Sequence, residues 1–96
     1  MTNYTLSADA EQDVVGIYLY SIEKFGLAQA DKYVSEMYGH FSIVGNDHTK
    51  GKSCDEVAPG LQRFRYVSHV IYYRPADTGV FILRILHGSM DPGRHL

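Results

Sequence analysis

A chain of 96 residues, 45% hydrophobic and 21% charged, has room for one globular domain with a small core. Its formal net charge of −2 excludes a chain-wide basic surface of the kind that holds nucleic acid by charge alone. The single cysteine, Cys54, excludes an internal disulfide and favours a reducing, cytoplasmic setting. Met1–Leu6 has no basic stretch with an apolar run behind it, and no apolar segment approaches the roughly 20 residues that span a bilayer, so neither a secretory leader nor a membrane contact is expected. The charge is unevenly placed. Residues 1–47 hold two Lys against seven carboxylates, whereas residues 48–96 hold seven Lys or Arg against four.

In chain order, Asn3–Leu6 reads as a short strand. Ser7 is a good helix N-cap, and Asp9, Glu11 and Asp13 suit the positive end of the helix dipole. The first helix is expected over Ala8–Phe25. Ala10, Val14, Ile17 and Phe25 mark one face; Val15, Leu19 and Ile22 mark another, with Tyr18 and Tyr20 between. A helix this apolar around its circumference requires cover on more than one side, and any side that the domain leaves bare needs a partner. Gly26 stops it. The second helix follows at once, from Leu27 to about Val44, with Leu27, Ala30, Val34, Met37, Phe41 and Val44 in a single stripe. So short a connection makes an antiparallel helical hairpin. His48–Gly60 is polar and aperiodic and reads as a long loop.

The period then changes to two. Leu61–Tyr66 puts Phe64 and Tyr66 on one face and Arg63 and Arg65 on the other. Val67-Ser68 is a tight turn. His69–Arg74 is a second strand, Pro75–Gly79 a hairpin loop, and Val80–His87 a third strand, apolar on both faces and so central. Strict alternation groups Phe81, Leu83, Ile85 and His87 on one side and Val80, Ile82, Arg84 and Leu86 on the other. Gly88–Leu96 is a polar tail. The expected architecture is α+β over residues 1–96: a short N-terminal strand, a two-helix hairpin and a three-stranded antiparallel meander, with 88–96 a C-terminal tail. The N-terminal strand can pair in parallel with Val80–His87.

Few chemistries fit these residues. Cleavage of RNA by attack of a ribose 2′-OH needs a general base, a general acid and cations near the phosphate. Arg63, Arg65, Arg74 and Arg84 could clamp a phosphate, and His87 or a Tyr could carry protons. Yet Arg63 and Arg65 sit where a solvated strand face, or an anchor for an acidic partner, would place them. Arg84, inside an apolar strand, requires a counter-charge, from Asp91 or from a partner. Nothing around Cys54 resembles a thiol nucleophile. The five histidines lack metal-ligand spacing, and no phosphate-cradling glycine motif is present, so neither metal nor cofactor is expected.

Several motifs together resemble the ParE toxins of the RelE/ParE superfamily. They are Leu6-Ser7-Ala8-x-Ala10-Glu11-x-Asp13, Phe25-Gly26-x-x-Gln29-Ala30, Gly51-Lys52-Ser53-Cys54-Asp55-Glu56-Val57-x-Pro59-Gly60-Leu61, Ser68-His69-Val70-Ile71-x-Tyr73-Arg74, and Ile82-Leu83-Arg84-Ile85-Leu86-His87-x-x-Met90-Asp91 with Arg94-His95-Leu96. The resemblance implies a toxin of a type II toxin–antitoxin pair, neutralised in a hetero-oligomer by a ParD-like antitoxin with a flexible tail. Operator DNA would be met only through that antitoxin's ribbon-helix-helix head. It also implies an inhibitor of DNA gyrase rather than a nuclease; a RelE-like, ribosome-dependent mRNA endonuclease is the alternative. On this reading the candidate gyrase contacts are Arg84, His87, Met90, Asp91, Arg94 and His95. The candidate antitoxin contacts are Tyr18, Leu19 and Ile22 on the over-apolar helix and Arg63, Arg65 and Tyr72 on the strands.

Overall fold

The computed structural model describes residues 3–96. Met1 and Thr2, part of the stretch read above for a leader, lie outside the described residues. The elements are β1 (Tyr4–Leu6), α1 (Ala8–Phe25), α2 (Leu27–Asn46), a 3-10 turn (His48–Lys50), β2 (Lys52–Ser53), β3 (Gln62–Tyr66), β4 (His69–Ala76), β5 (Gly79–His87) and a terminal helical turn, α3 (Pro92–His95). They form one α+β unit in which the helical hairpin packs on one face of a five-stranded sheet of order β1-β5-β4-β3-β2. β1 pairs in parallel with β5, from Tyr4 opposite Val80 to Leu6 opposite Ile82, and the other pairings are antiparallel.

Ser7 joins strand to helix. Its Oγ accepts from the Ala10 N–H at 3.0 Å as an N-cap and donates to the Leu83 carbonyl at 2.7 Å, so the cap is also a tie to β5. Gly26, at φ +90°, ends α1 and opens α2 in a conformation that suits glycine. Gly79 (φ +122°) is required twice over, because a Cβ there would run into the Asn3 carbonyl oxygen. Between hairpin and sheet lies the main core, in which Met37, Phe41, Ile71, Tyr73 and Ile82 are fully buried.

The sheet is wider than the expected meander. The stretch 48–60 is not a bare loop. It holds the 3-10 turn, capped by Asp47, and β2, whose two residues are too few to show a period in sequence. Its second half folds over the face of the sheet away from the helices. There Cys54 and Leu61 form a second small core with Tyr72 and Leu86. This explains one correction: Tyr72, expected in a partner contact, is only 4% exposed. Cys54 is a fully buried packing residue.

The alternation expected in the last strand also fails, at a bulge. Tyr72 faces Arg84 but Tyr73 faces Ile82, so Leu83 is an extra residue in β5. Beyond it the faces exchange. Val80 and Ile82 join Ile85 under the helices, while Leu83 and Leu86 pack against Tyr72 on the other side. Smaller differences follow the same pattern of local signals overridden. β4 and β5 pair as far as Ala76 opposite Gly79, leaving a shorter turn than the expected loop. Phe25 and Leu27, assigned to buried stripes, flank Gly26 at 68% and 58% exposure because the chain reverses there.

Candidate functional site

The parallel ladder of β1 on β5 ends at Leu6, where the chain turns into α1, and the Ser7 N–H makes the last bond to the Ile82 carbonyl at 2.9 Å. The outer edge of β5 past this point would be bare. Asp13 occupies it. Its Oδ2 accepts from the Ile85 N–H at 2.9 Å and from Arg84 Nε at 2.8 Å, and its Oδ1 accepts from Arg84 Nη2 at 2.9 Å. This fork is bidentate and largely shielded, with side-chain exposures of 22% for Arg84 and 14% for Asp13. The Asp13 bond holds the Arg84 guanidinium above its ordinary range, so it stays charged. The free Nη1 donates to the His95 carbonyl at 2.8 Å, which ties the C-terminal turn to α1 through one side chain. The counter-charge of Arg84 is therefore Asp13, not Asp91. Asp91 instead caps the terminal turn, accepting from the Gly93 N–H at 2.9 Å. Residues 88–96 are thus not a structureless tail: α3 closes them.

Beside this clamp opens a groove of about 750 Å³. Gly16, Tyr20 and Phe25 of α1 form one wall and Tyr33 of α2 extends it; Val67 and Met90 stand opposite. Gly16 lines it with nothing within 4 Å of where a Cβ would be, so the missing side chain is what deepens the wall. His69 and His87 lie directly opposite one another in the β4–β5 ladder, with ring centroids 5.5 Å apart. The Tyr33 hydroxyl meets His69 Nδ1 at 2.7 Å. Burial, and then the neighbouring His87, push the His69 imidazole below its usual range. The Ser89 N–H donates to His87 Nδ1 at 3.2 Å, which places a lone pair on that nitrogen and, in the neutral ring, the proton on Nε2. At the lip, Val67 has φ +52° and is 64% exposed. A β-branched residue in the left-handed region carries strain that nothing buried repays.

Of the residues expected to meet a target, Arg84, His87 and Met90 line this groove, and Asp91, Arg94 and His95 lie on the adjoining terminal turn. Those expected to meet an antitoxin divide. Leu19 is 59% exposed and Ile22 half-buried, and the Tyr18 hydroxyl donates to Asp31 Oδ1 at 2.5 Å across the hairpin. None of these three lines the groove. Arg63 and Arg65 are exposed on β3, while Tyr72 beneath them is buried. Sequence reasoning missed Asp13, Gly16, Tyr33 and His69. The excess of apolar residues around α1 was the one signal for the groove, since Tyr20 and Phe25 belong to it. The pairing of residues 13 with 84 and 33 with 69 exists only once the sheet has formed.

Among the described residues no cluster of three or more His, Cys, Asp or Glu could hold a metal ion. No helix among the described residues is long and apolar enough to cross a membrane. What the surface presents is a wide apolar groove and a clamped C-terminus on a small α+β scaffold. The chain belongs to the ParE toxins: the family model described as ParE toxin of type II toxin-antitoxin system, parDE, matches residues 4–92. It is 32% identical over 96 residues to Toxin ParE1 of Caulobacter vibrioides, covering 100% of this chain and 99% of that one. It is 29% identical over 96 residues to Toxin ParE1 of Mycobacterium tuberculosis, covering 99% and 98%. To Toxin ParE of Escherichia coli it is 30% identical over 92 residues, covering 95% and 89%. In fold it is similar to a solved chain of the chromosomal ParDE system from P. aeruginosa, with TM-score 0.75 at 20% identity over 91% of this chain and 96% of that one.

Proposed function

We propose that this ParE toxin acts in the cytoplasm as a protein-binding inhibitor of DNA gyrase and is neutralised by a ParD-like antitoxin. The observation that carries the reading is the groove. A domain of 96 residues leaves Tyr20 and Phe25 at 58% and 68% exposure along a cleft of about 750 Å³, more apolar surface than a solitary small domain gains by exposing. An amphipathic helix of the antitoxin fits such a cleft. Leu19 and Ile22, outside the cleft on α1, extend the contact. The target-facing part is the segment from Arg84 and His87 through Met90 and Asp91 to Arg94 and His95, which the Asp13–Arg84 clamp holds in a defined place.

The distribution of charge supports inhibition over RNA cleavage. Arg84 is committed to Asp13, and Arg63 and Arg65 project from the face of β3 opposite Phe64 and Tyr66, away from Tyr33 and His69. The β3 arginines and the Tyr33–His69 pair are therefore on different sides of the sheet and do not converge on one phosphate. Purified toxin incubated with gyrase, ATP and relaxed plasmid tests the proposal. Loss of supercoiling with accumulation of cleaved DNA is the expected result. Unaffected gyrase, together with codon-positioned cuts in ribosome-bound mRNA after induction, would replace it with the endonuclease reading.

A further inference from the structure

Two histidines stand in the lining of an otherwise apolar groove. His69 and His87 face each other across the β4–β5 ladder, and their rings meet edge to face, with centroids 5.5 Å apart and planes at 83°. Every element packed around the pair leaves it without a free counter-charge. From α2 comes the Tyr33 hydroxyl, at 2.7 Å from His69 Nδ1. From β3 comes Tyr66, opposite His69 in the ladder, whose hydroxyl donates to the Tyr33 carbonyl at 2.8 Å. From α1 comes Asp13, the one carboxylate among the residues that line the groove, and both its oxygens are taken by Arg84 and the Ile85 N–H. Arg84 adds a cation to the same lining. After β5, the Ser89 hydroxyl meets His87 Nδ1 at 2.8 Å and the Ser89 N–H donates to it at 3.2 Å. On the other side of the sheet Arg65 lies beside Gly88, its Nη2 3.1 Å from where a Cβ would stand. Arg65 belongs to a second groove, which shares Met90 with the first.

A neutral pair suits this place, because two uncharged rings make an ordinary edge-to-face contact. A proton on either ring brings a charge that no free carboxylate answers, beside walls made of Ile17, Tyr20 and Phe25. A proton on both sets two like charges against each other across the ladder. A charged His69 donates from both ring nitrogens, so the Tyr33 hydroxyl can then only accept from it. We propose that the His69–His87 pair is an acid-sensitive release for the apolar segment that fills this groove: the groove is occupied while both rings are neutral and empties when the pair takes up a proton. That the segment belongs to the antitoxin rests on the reading above; the release itself does not. An apolar occupant strips the remaining water from the rings, so the filled groove resists protonation more than the empty one. Affinity is therefore full at neutral pH and falls as the pH drops through the titration of the empty groove, by at most about tenfold per pH unit for each proton. The burial that already holds His69 below its usual range acts in the same direction.

The test uses Nile red, an uncharged apolar dye, titrated with the full chain at neutral and acid pH while near-UV circular dichroism follows the fold. Between about pH 7.5 and about pH 5 the parent chain should lose at least about tenfold in affinity for the dye. His69→Gln should take up the dye equally at both. His87→Gln removes the neighbour and should show a smaller acid loss than the parent. Gly16→Leu fills the groove and should bind weakly throughout. Equal or stronger binding by the parent at the acid pH overturns the proposal, as does an acid loss that persists in His69→Gln or is as steep in His87→Gln. A dye indifferent to Gly16→Leu overturns it too, because the groove would then not take apolar matter. So does loss of the parent's tertiary signal above about pH 5, because the response would then be unfolding. Isothermal titration with the cognate antitoxin at the same two pH values separates this proposal from the reading it rests on. Release of both dye and antitoxin supports the two together. Release of the dye alone supports the switch and takes the antitoxin out of this groove. Tight antitoxin binding with no response of the dye ends the proposal and leaves the antitoxin reading standing.

Discussion

The two grooves meet at Met90 but are built on opposite terms. The first, between the helical hairpin and the end of β5, keeps its charge to itself: Arg84 and Asp13 neutralise one another, and what remains exposed is ring and aliphatic surface. The second, of about 500 Å³ beside β2 and β3, gathers Lys50, Lys52, Arg63 and Arg65 along its lining and sets Lys52 opposite Arg63. The lesson is that each surface advertises what it lacks. An apolar cleft suits an apolar partner, and a basic rim suits an anion. The comparison can be broken by changing either the clamp that separates the two chemistries or the walls that define them.

The largest effect is expected at the clamp. Asp13→Ala leaves the Ile85 N–H without its acceptor and Arg84 without its counter-charge, holding only the His95 carbonyl, in a mostly shielded place. Removing one member of such a pair should cost about 3 kcal/mol, a large part of the stability of a domain this size. Urea unfolding reads this directly. The double variant Asp13→Ala/Arg84→Met should be less unstable than the two single losses summed, because it leaves no orphaned charge. A loss below about 1 kcal/mol for Asp13→Ala would mean that the fork is ornamental and that the separation of charge between the grooves has another origin.

Next comes the wall of the first groove. Gly16→Leu fills the cleft from a position where a Cβ meets nothing, and leucine is the better helix former, so folding should be unharmed. Affinity for the cognate antitoxin should fall about a hundredfold, close to 3 kcal/mol. Leu19→Asp, outside the cleft on α1, is the comparison. If Leu19→Asp abolishes the complex and Gly16→Leu leaves it intact, the antitoxin grips the hairpin's outer side and the cleft serves something else. Isothermal titration with both variants decides between them.

How far these surfaces could be read from sequence follows from what makes them. The hairpin and the outward arginines of β3 were legible, because 3.6- and 2-residue periods and the Phe-Gly junction are local signals, whereas the parallel pairing of β1 with β5 was only one topology the order allowed. The first groove was legible only as a surplus: α1 has more apolar residues than one stripe needs, and Tyr20 and Phe25 are part of that surplus. Its floor was not, since the His69–His87 pair and the Asp13–Arg84 fork join residues that meet only when the sheet closes. The bulge at Leu83 was equally hidden. One extra residue reversed the faces of the last strand, and an alternating pattern is silent about where such a residue sits. Tyr72 was misplaced because the segment that buries it, Cys54–Leu61, has no periodicity of its own.

A smaller effect is expected at the groove's lip. Val67→Asn should raise stability by about 1 kcal/mol, because asparagine tolerates the left-handed conformation that valine resists. If the strained valine is kept for docking, antitoxin affinity should fall a few-fold as the melting temperature rises. Both rising together would make Val67 a simple defect.

The smallest and most specific effect is the proton linkage of the groove floor. His69 titrates below its ordinary 6.5 because it is half-buried against His87, with the Tyr33 hydroxyl on its Nδ1 and only the Asp13 charge pulling the other way. The unfolded chain therefore takes up the proton first. The linked stability is fully present above about pH 6.5 and declines as the pH falls through the lowered value of the folded state. His69→Gln keeps an acceptor near Tyr33 but cannot be protonated, so its unfolding free energy should be flatter between about pH 7 and 5 than that of the parent chain. Occupying the groove should deepen the parent's dependence, since a docked apolar partner buries the imidazole further. If the complex instead tightens on acidification, the occupant must bring a carboxylate to the histidine pair, and the first groove would prove less unlike the second than its apolar walls suggest.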